Sequence, residues 1–284
     1  MQLEKTLAAF RGLFARAASP HMNPQLELLR QRFPLATTQI AIADWQFELY
    51  HPSNPDDLIS DLEFDRDGRL PYWAELWPSA TAMALQIAAE RWACERMGTG
   101  SDHLAGGPAK QTVREVPVPI LSQLRVPGRR LLELGCGLGL VSLAAIRAGF
   151  DVTTTDYYEE ALAFTELNAC HNNLPPPAMR LVDWRRFPDD LGRFDLVVAS
   201  DVLFEKPNIP LIAAAFSRTL APGGRGLLTD PGRPPAAAFP AECERHGLRF
   251  VEHPPIPVAK PDKPGPPQLI HFYELSLADG IAPP

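Results

Sequence analysis

The chain has 284 residues with ordinary apolar and charged fractions, which suits one large domain preceded by an extension. Its formal net charge of -7 argues against a nucleic-acid or membrane-surface binder, because such proteins normally carry a basic patch. The four cysteines form no CxxC pair, and no apolar run reaches the roughly 20 residues of a membrane span, so we expect a reduced, cytoplasmic protein without a metal site.

Residues 1–69 are predicted to form an extension of helices and a β hairpin. Helical spacing of apolar residues predicts helices over 3–18 and 24–33, and the first of these is either a packing helix or a leader. The segment "TTQIAIADWQFELYHP" alternates as a strand does. Its alternation changes phase at Ala43–Asp44, which indicates a bulge or a tight bend.

The main domain is predicted to cover residues 70–284. Its opening segment, "PYWAELWPSATAMA", places a helix start at Pro78, and the helix is expected to run to about Arg96. Residues 97–118 are rich in glycine, proline and polar residues, which predicts a mobile surface insertion.

From Arg130 onwards, short apolar strands alternate with helices. The predicted strands are "RLLEL", "DVTTTD", "AMRLVDW", "FDLVVASDVL", "GLLTD", "LRFVEH" and "LIHFYELSL", with a turn at "PGG" before the fifth. This order predicts an α/β, Rossmann-like, doubly wound fold with helices on both faces of the sheet. Its seven-strand sheet is expected to be mostly parallel, with the last strand antiparallel.

The segment "ELGCGLG" lies between the first of these strands and a helix. Gly135, Gly137 and Gly139 allow a sharp turn and a close approach to a ligand, and the helix start behind them offers free N–H groups. Asp156 ends the second strand, where a carboxylate can accept both hydroxyls of a ribose. The alternative is that the glycines serve only the packing of helix on strand.

Two cofactors suit a glycine loop followed by an acid. A dinucleotide requires Gly or Ala where this sequence has Leu140, and Glu133 would face its anionic pyrophosphate. S-adenosylmethionine (SAM) has no phosphate and carries two cationic groups, so an acid beside the loop is an advantage. The residues therefore favour SAM over NAD.

The stretch "LLELGCGLGLVSLAAIRAGFDVTTTD" resembles the class I (seven-strand) SAM-dependent methyltransferases. With "PYWAELWPSATAMA" and "ASDVLFE", it is similar to the protein-lysine methyltransferase group that includes the electron-transfer-flavoprotein β-subunit methylase and bacterial nicotinamide-N-methylase-like proteins. The resemblance covers about residues 70–275. It implies methyl transfer from SAM to a lysine amine of a protein, and the alternative is a small-molecule N- or O-methyltransferase.

The resemblance also implies a cofactor site. Asp156 would hold the ribose, Tyr157 would flank the adenine, and Asp183 would bind the adenine amine. Trp184 would stack on the ring, and Trp77 would close over the methionine end. The full implied set is Trp77, Glu133, Gly135, Cys136, Gly137, Gly139, Asp156, Tyr157, Asp183, Trp184 and Ser200.

Asp201 and Phe204 are the catalytic residues that the resemblance implies. Asp201 would orient the acceptor amine and stabilise its developing charge, while Phe204 would form an apolar wall where many relatives have Tyr. The alternative for Asp201 is a cap on the following helix. Asp230 is expected to cap a turn, and Arg233 to be solvated rather than to meet an acidic substrate.

One aromatic position, one acidic position and two rival functions complete the predictions. Trp73 is predicted to be core packing, and Glu75 either holds a ligand or faces solvent. A SAM-binding protein without turnover is disfavoured by the intact Asp201. A nucleic-acid methyltransferase is disfavoured by the acidic balance and by the absence of N/D-P-P-Y/F after the fourth strand. The expected partner is a protein or small-molecule substrate, and the oligomeric state stays open.

Overall fold

A computed structural model describes residues 24–58, 72–98, 130–259 and 265–278. The predicted helix over residues 3–18 and almost all of the predicted insertion over 97–118 lie outside the described residues. Within the described ranges, no helix is long and apolar enough to cross a membrane.

The extension contains one helix and one hairpin. Helix α1 spans Pro24–Arg32, and strands β1 (Leu35–Ile42) and β2 (Trp45–Pro52) pair in antiparallel register along their whole length. The phase change in the sequence is therefore a tight turn, in which Ala43 takes the left-handed conformation with φ 53°. Because the turn reverses the chain, both apolar phases lie on one buried face, made of Ile40, Ile42, Trp45, Phe47 and Leu49.

The main sheet follows the predicted order of strands. Its members are β3 (Arg130–Leu134), β4 (Asp151–Asp156), β5 (Ala178–Leu181), β6 (Phe194–Ser200), β7 (Leu220–Asp230), β8 (Leu248–Val258) and β9 (Gln268–Leu277). They lie in the order β5-β4-β3-β6-β7-β9-β8. Strand β9 is antiparallel to both neighbours and the others are parallel to one another, as predicted. The antiparallel strand lies inside β8, which forms the sheet edge.

Helices cover both faces of this sheet. They are α2 (Pro78–Gly98), α3 (Leu140–Arg147), α4 (Glu159–His171), α5 (Asn208–Thr219) and α6 (Phe239–Arg245). Successive residues of a central strand enter opposite cores: Leu131 packs with α2 and α3, whereas Leu132 packs with α5 and α6. This confirms the doubly wound α/β fold.

One predicted turn lies inside a strand. The segment "PGG" falls within β7, whose pairing with β6 shifts register between Leu220 and Arg225. The four residues between these two positions leave the ladder, so β7 consists of two paired stretches separated by an irregularity.

Candidate functional site

A cavity lies at the carboxyl ends of β3, β4 and β6, beside the point where the strand order reverses. Parallel sheets of this type bind ligands at this edge because the connecting loops diverge there. Ten of the predicted site residues line the cavity: Trp77, Gly135, Cys136, Gly137, Asp156, Tyr157, Trp184, Ser200, Asp201 and Phe204. The remaining three, Glu133, Gly139 and Asp183, do not line it.

The glycine loop between β3 and α3 is held by its own amides. The N–H groups of Gly135 and Cys136 both donate to the carbonyl of Thr155, at 2.9 and 3.0 Å. The Gly137 N–H donates to Asp156 Oδ2 at 3.0 Å, and the Gly139 N–H to the carbonyl of Cys136 at 2.9 Å. These bonds occupy the amides of the loop itself, so Gly135, Cys136, Gly137 and Gly139 offer no free N–H donor to a phosphate. The free N–H groups predicted at the helix start behind the loop stay a prediction.

Gly137 and Gly139 are required by space as well as by conformation. Gly137 has φ 53°, and a Cβ there would lie 3.1 Å from the backbone oxygen of Trp73. Gly139 has φ 87°, and its Cβ would lie 2.7 Å from Thr165 Oγ1 in α4. Gly137 thus faces the cavity wall, whereas Gly139 serves the close packing of the loop on α4.

Asp156 is a fixed, buried carboxylate at the end of β4. Its side chain accepts the N–H groups of Gly137 and Tyr158, each at 3.0 Å, and the residue is 6% exposed. Burial raises its pKa, while the backbone amides oppose that rise. A preformed carboxyl of this kind, next to Tyr157 in the cavity wall, can receive hydroxyl donors.

Glu133 lies beneath the loop and cannot serve as an anionic partner of the cofactor. It is 1% exposed and accepts a hydrogen bond from the Ser142 hydroxyl. Burial raises the pKa of Glu133 to about 8, and the nearby Asp156 adds to the rise. At neutral pH this carboxyl is mostly protonated, so the sequence expectation of a helpful negative charge here is wrong.

Trp184 lines the cavity, whereas the neighbouring Asp183 does not. Asp183 caps a short 3-10 turn and accepts hydrogen bonds from the Arg185 backbone at 3.0 Å and from its Nη2 at 2.9 Å. Its carboxylate is therefore engaged by Arg185 and does not line the cavity, and its contact with adenine stays a prediction. Trp184 does line the cavity, where its ring lies 3.4 Å from the position of a Cβ on Gly135.

Three aromatic side chains, Tyr72, Trp77 and Phe204, form a wall that we call the mouth. The ring of Tyr72 meets Phe204 at 5.0 Å and Trp77 at 6.3 Å, both edge to face, and the Trp77 indole N–H donates to the Tyr72 carbonyl at 2.9 Å. Sequence reasoning missed Tyr72, although it adjoins Trp73 in "PYWAELW". Trp73 is buried against Phe164 as predicted.

Asp201 is buried at the mouth and is already paired. Its Oδ1 accepts from Arg233 Nε at 2.6 Å, and its Oδ2 accepts from the Ser79 hydroxyl at 3.3 Å. Its φ of 56° is left-handed, a conformation that Asp tolerates better than most residues. Helix α5 begins only at Asn208, so the alternative of a helix cap for Asp201 is wrong.

The turn after β7 positions the Arg233 side chain next to Asp201. Asp230 accepts the N–H groups of Gly232 at 2.7 Å and Arg233 at 2.8 Å, which confirms the predicted turn cap. The Arg233 guanidinium forms an ion pair with Asp201 and also lies 5.3 Å from the centre of the Trp77 ring. The expectation of a solvated arginine is therefore wrong. The signal available in the sequence was the short spacing in "TDPGRP" between strand end, cap and arginine.

The cavity is acidic. Four carboxyl side chains line it, from Glu75, Asp156, Asp201 and Glu205, and none of its described lining residues is Lys, Arg or His. This lining disfavours a pyrophosphate and suits a ligand with positive charge. It also places Glu75 at the cavity. In the part of the chain that the structure describes, no group of His, Cys, Asp and Glu could hold a metal ion.

Comparison with known proteins identifies a domain. Residues 131–224 match the family model described as a methyltransferase domain. The chain is 32% identical over 142 residues to the ubiquinone biosynthesis O-methyltransferase of Xanthomonas campestris pv. campestris, covering 47% of this chain and 57% of the relative. It is 35% identical over 113 residues to the nocamycin O-methyltransferase of Saccharothrix syringae, covering 39% and 40%. The chain thus spans about half the length of these curated relatives.

A solved structure with partial similarity is the precorrin-6y C5,15-methyltransferase from Geobacter metallireducens GS-15. It has a TM-score of 0.46 and 18% identity, and covers 56% of this chain and 85% of that chain. The fold assignment rests on the sheet order of this chain itself, which is the predicted seven-strand methyltransferase fold. The match over residues 131–224 indicates a methyltransferase domain, whereas the protein-lysine grouping finds no support among these relatives.

Proposed function

We propose that this chain is a SAM-dependent methyltransferase whose acceptor is a small molecule. One observation carries the proposal: the cavity joins a glycine loop, a buried carboxyl at Asp156 and an acidic lining without basic side chains among the described residues. This lining suits a ligand that combines a ribose and an aromatic base with positive charge and lacks phosphate. SAM has this chemistry.

The residues present fit that cofactor. Gly135 and Gly137 provide close backbone approach, Asp156 would hold the ribose hydroxyls, and Tyr157 and Trp184 provide aromatic faces for the base. When bound, SAM supplies an activated methyl group, and an acceptor lone pair forms the new bond to carbon as the carbon–sulfur bond breaks and its electrons stay on sulfur. The chain's own task is to align the acceptor and exclude water, and alignment can lower such barriers by about 7–11 kcal/mol in ideal cases.

The mouth favours a small, largely apolar acceptor. Tyr72, Trp77 and Phe204 form an aromatic wall against which a planar molecule can pack. The charge of Asp201 is balanced by Arg233, so Asp201 is not an unpaired counter-ion waiting for a lysine ammonium. The similarity to proteins named O-methyltransferases supports a hydroxyl as the methylated group.

A lysine amine of a protein is the second candidate. Glu75 and Glu205 also line the cavity, and their charge would attract an ammonium group. Binding of such a group at Asp201 would require Arg233 to leave it.

Tritium-labelled SAM tests both parts of the proposal, the cofactor and the small-molecule acceptor. The full-length protein would be incubated with labelled SAM and a bacterial lysate, and the products separated into protein and small-molecule fractions. We expect label in the small-molecule fraction, and about tenfold less of it with Asp156→Asn at limiting SAM. Label on protein lysines would overturn the small-molecule acceptor. Failure of the wild type to bind SAM in calorimetry would overturn the whole proposal.

A further inference from the structure

Helix α4 carries two asparagines, Asn168 and Asn172, on the face that meets the N-terminal hairpin. They are four residues apart and therefore lie one above the other along the helix. Each side-chain amide pairs with one residue of β2 through both backbone groups of that residue. Asn172 accepts the Glu48 N–H at 3.0 Å and donates to the Glu48 carbonyl at 2.9 Å. The helix thereby provides hydrogen-bond partners for the backbone groups at the outer edge of β2, as a neighbouring strand would.

Asn168 makes the same pair of bonds and one more. Its Oδ1 accepts the Tyr50 N–H at 2.7 Å, and its Nδ2 donates to the Tyr50 carbonyl at 3.1 Å. The same Nδ2 donates to the carbonyl of Leu138 at 2.9 Å. Leu138 lies between Gly137 and Gly139 and lines the cavity. One fully buried amide therefore connects the hairpin to the middle of the glycine loop.

A second side chain of α4 holds the adjacent part of the loop. The hydroxyl of Thr165 lies 3.2 Å from the Gly137 carbonyl and 3.3 Å from the Cys136 sulfur. Gly137 and Gly139, on either side of Leu138, both have left-handed φ. The position of the Leu138 carbonyl therefore sets the orientation of the peptide between Leu138 and Gly139. Asn172 has no such contact, because its remaining bond goes to the Asn168 carbonyl in its own helix, at 2.7 Å.

We propose that Asn168 is a positioning residue that couples packing of the N-terminal hairpin to the loop geometry required for SAM binding. The inference rests on the proposed function, since it concerns the same cofactor. These contacts connect the N-terminal extension to the cofactor loop. Loss of the Asn168 amide leaves the carbonyls of Leu138 and Tyr50 without this donor and frees the loop peptide.

Asn168→Ala and Asn172→Ala form a matched pair, since each removes one pair of side-chain hydrogen bonds to the hairpin. Only Asn168→Ala also removes the hydrogen bond to the glycine loop. SAM affinity would be measured by calorimetry on the full chain, alongside thermal unfolding. We expect both variants to unfold at lower temperature. Asn168→Ala should weaken SAM binding about tenfold and Asn172→Ala less than about twofold, in the usual range of coupling between sites. Equal SAM affinity in the two variants would overturn the inference.

Hydrogen exchange on the wild type decides the question if Asn168→Ala does not fold. SAM should slow exchange of the Tyr50 amide, which Asn168 accepts, several-fold more than exchange of the Glu48 amide, which Asn172 accepts. Equal protection of the two amides would overturn the inference while leaving the proposed function intact. A wild type that binds no SAM would instead overturn the proposed function, and the inference with it.

Discussion

The cavity has two halves that are built in different ways. Most of the cofactor half, residues 133–157, comes from one continuous stretch, and backbone hydrogen bonds such as Gly135 to Thr155 hold it. Trp184 joins it from a separate segment. The acceptor half comes from three separate segments, 72–77, 201–204 and 230–233, and side-chain contacts hold it. Because backbone contacts hold the cofactor half, few substitutions should be tolerated there. Substitutions of side chains in the acceptor half can alter which acceptor binds without disturbing the cofactor.

The halves also differ in burial. Glu133 and Asp156 are 1% and 6% exposed, and neither has a cationic side chain as a hydrogen-bond partner in the described contacts. In the acceptor half, Asp201 is equally buried but is paired with Arg233, whose side chain is 31% exposed. Changes in the cofactor half should therefore affect stability and SAM binding together, and changes in the acceptor half should leave SAM binding unaltered.

The largest expected effect is the pH dependence contributed by Glu133. Its folded pKa of about 8 lies above the ordinary glutamate pKa of 4.5, so the folded state retains a proton that the unfolded state releases. Its contribution is fully present below about pH 4.5 and is lost as the pH rises towards 8, on the order of 4 kcal/mol. Urea unfolding of the wild type and Glu133→Gln at several pH values measures it. Parallel pH curves for the two proteins would contradict the prediction.

Gly139→Ala should be the next most costly change. Its Cβ would lie 2.7 Å from Thr165 Oγ1 at a φ of 87°, so overpacking is added to backbone strain. We expect a loss of about 3 kcal/mol in the free energy of unfolding. Gly223→Ala is the control, because its φ is 76° and nothing lies within 4 Å, leaving only about 1 kcal/mol of strain. Equal losses in urea unfolding would show that the loop does not pack tightly on α4.

Arg233→Ala probes the acceptor half. Removing the guanidinium leaves the buried Asp201 carboxylate without its cation, which should lower the free energy of unfolding by about 2 kcal/mol, less than for a fully buried pair. SAM affinity should stay within about twofold, because Arg233 does not line the cavity. Urea unfolding and calorimetry check the two parts. A tenfold loss of SAM affinity would show that the two halves are not independent.

Asp156→Asn should have the smallest of these effects in energy, measured on SAM affinity. The amide keeps an oxygen acceptor but loses the charge, so SAM affinity should fall about tenfold, or ~1.4 kcal/mol. Asp201→Asn is the matched change in the acceptor half and should leave SAM affinity nearly unaltered. Calorimetry on both variants measures the difference. If Asp201→Asn loses as much affinity as Asp156→Asn, the division between the halves is wrong.

Local patterns in the sequence were sufficient for the fold and for most of the cofactor half. The strands from Arg130 onwards, the glycine loop and the acid at Asp156 all follow from residues that are close in the chain. The hairpin was predicted with either a bulge or a tight bend at Ala43–Asp44, because its phase change is visible in the apolar pattern. Such features are predictable because hydrophobic period and glycine conformations act over a few residues.

Tertiary structure alone decided the partners and the protonation of the side chains. Burial beneath the loop turns Glu133 from an expected anion into a mostly neutral carboxyl, and Arg185 engages the carboxylate of Asp183. Arg233 reaches Asp201 across 32 residues of sequence, and Asn168 reaches Tyr50 across 118. The sequence by itself determined the sheet, the loop and the cofactor class, because these depend on local backbone chemistry. Which charges meet and which are buried depends on the packing of segments distant in the chain, where desolvation and pairing set each group's state.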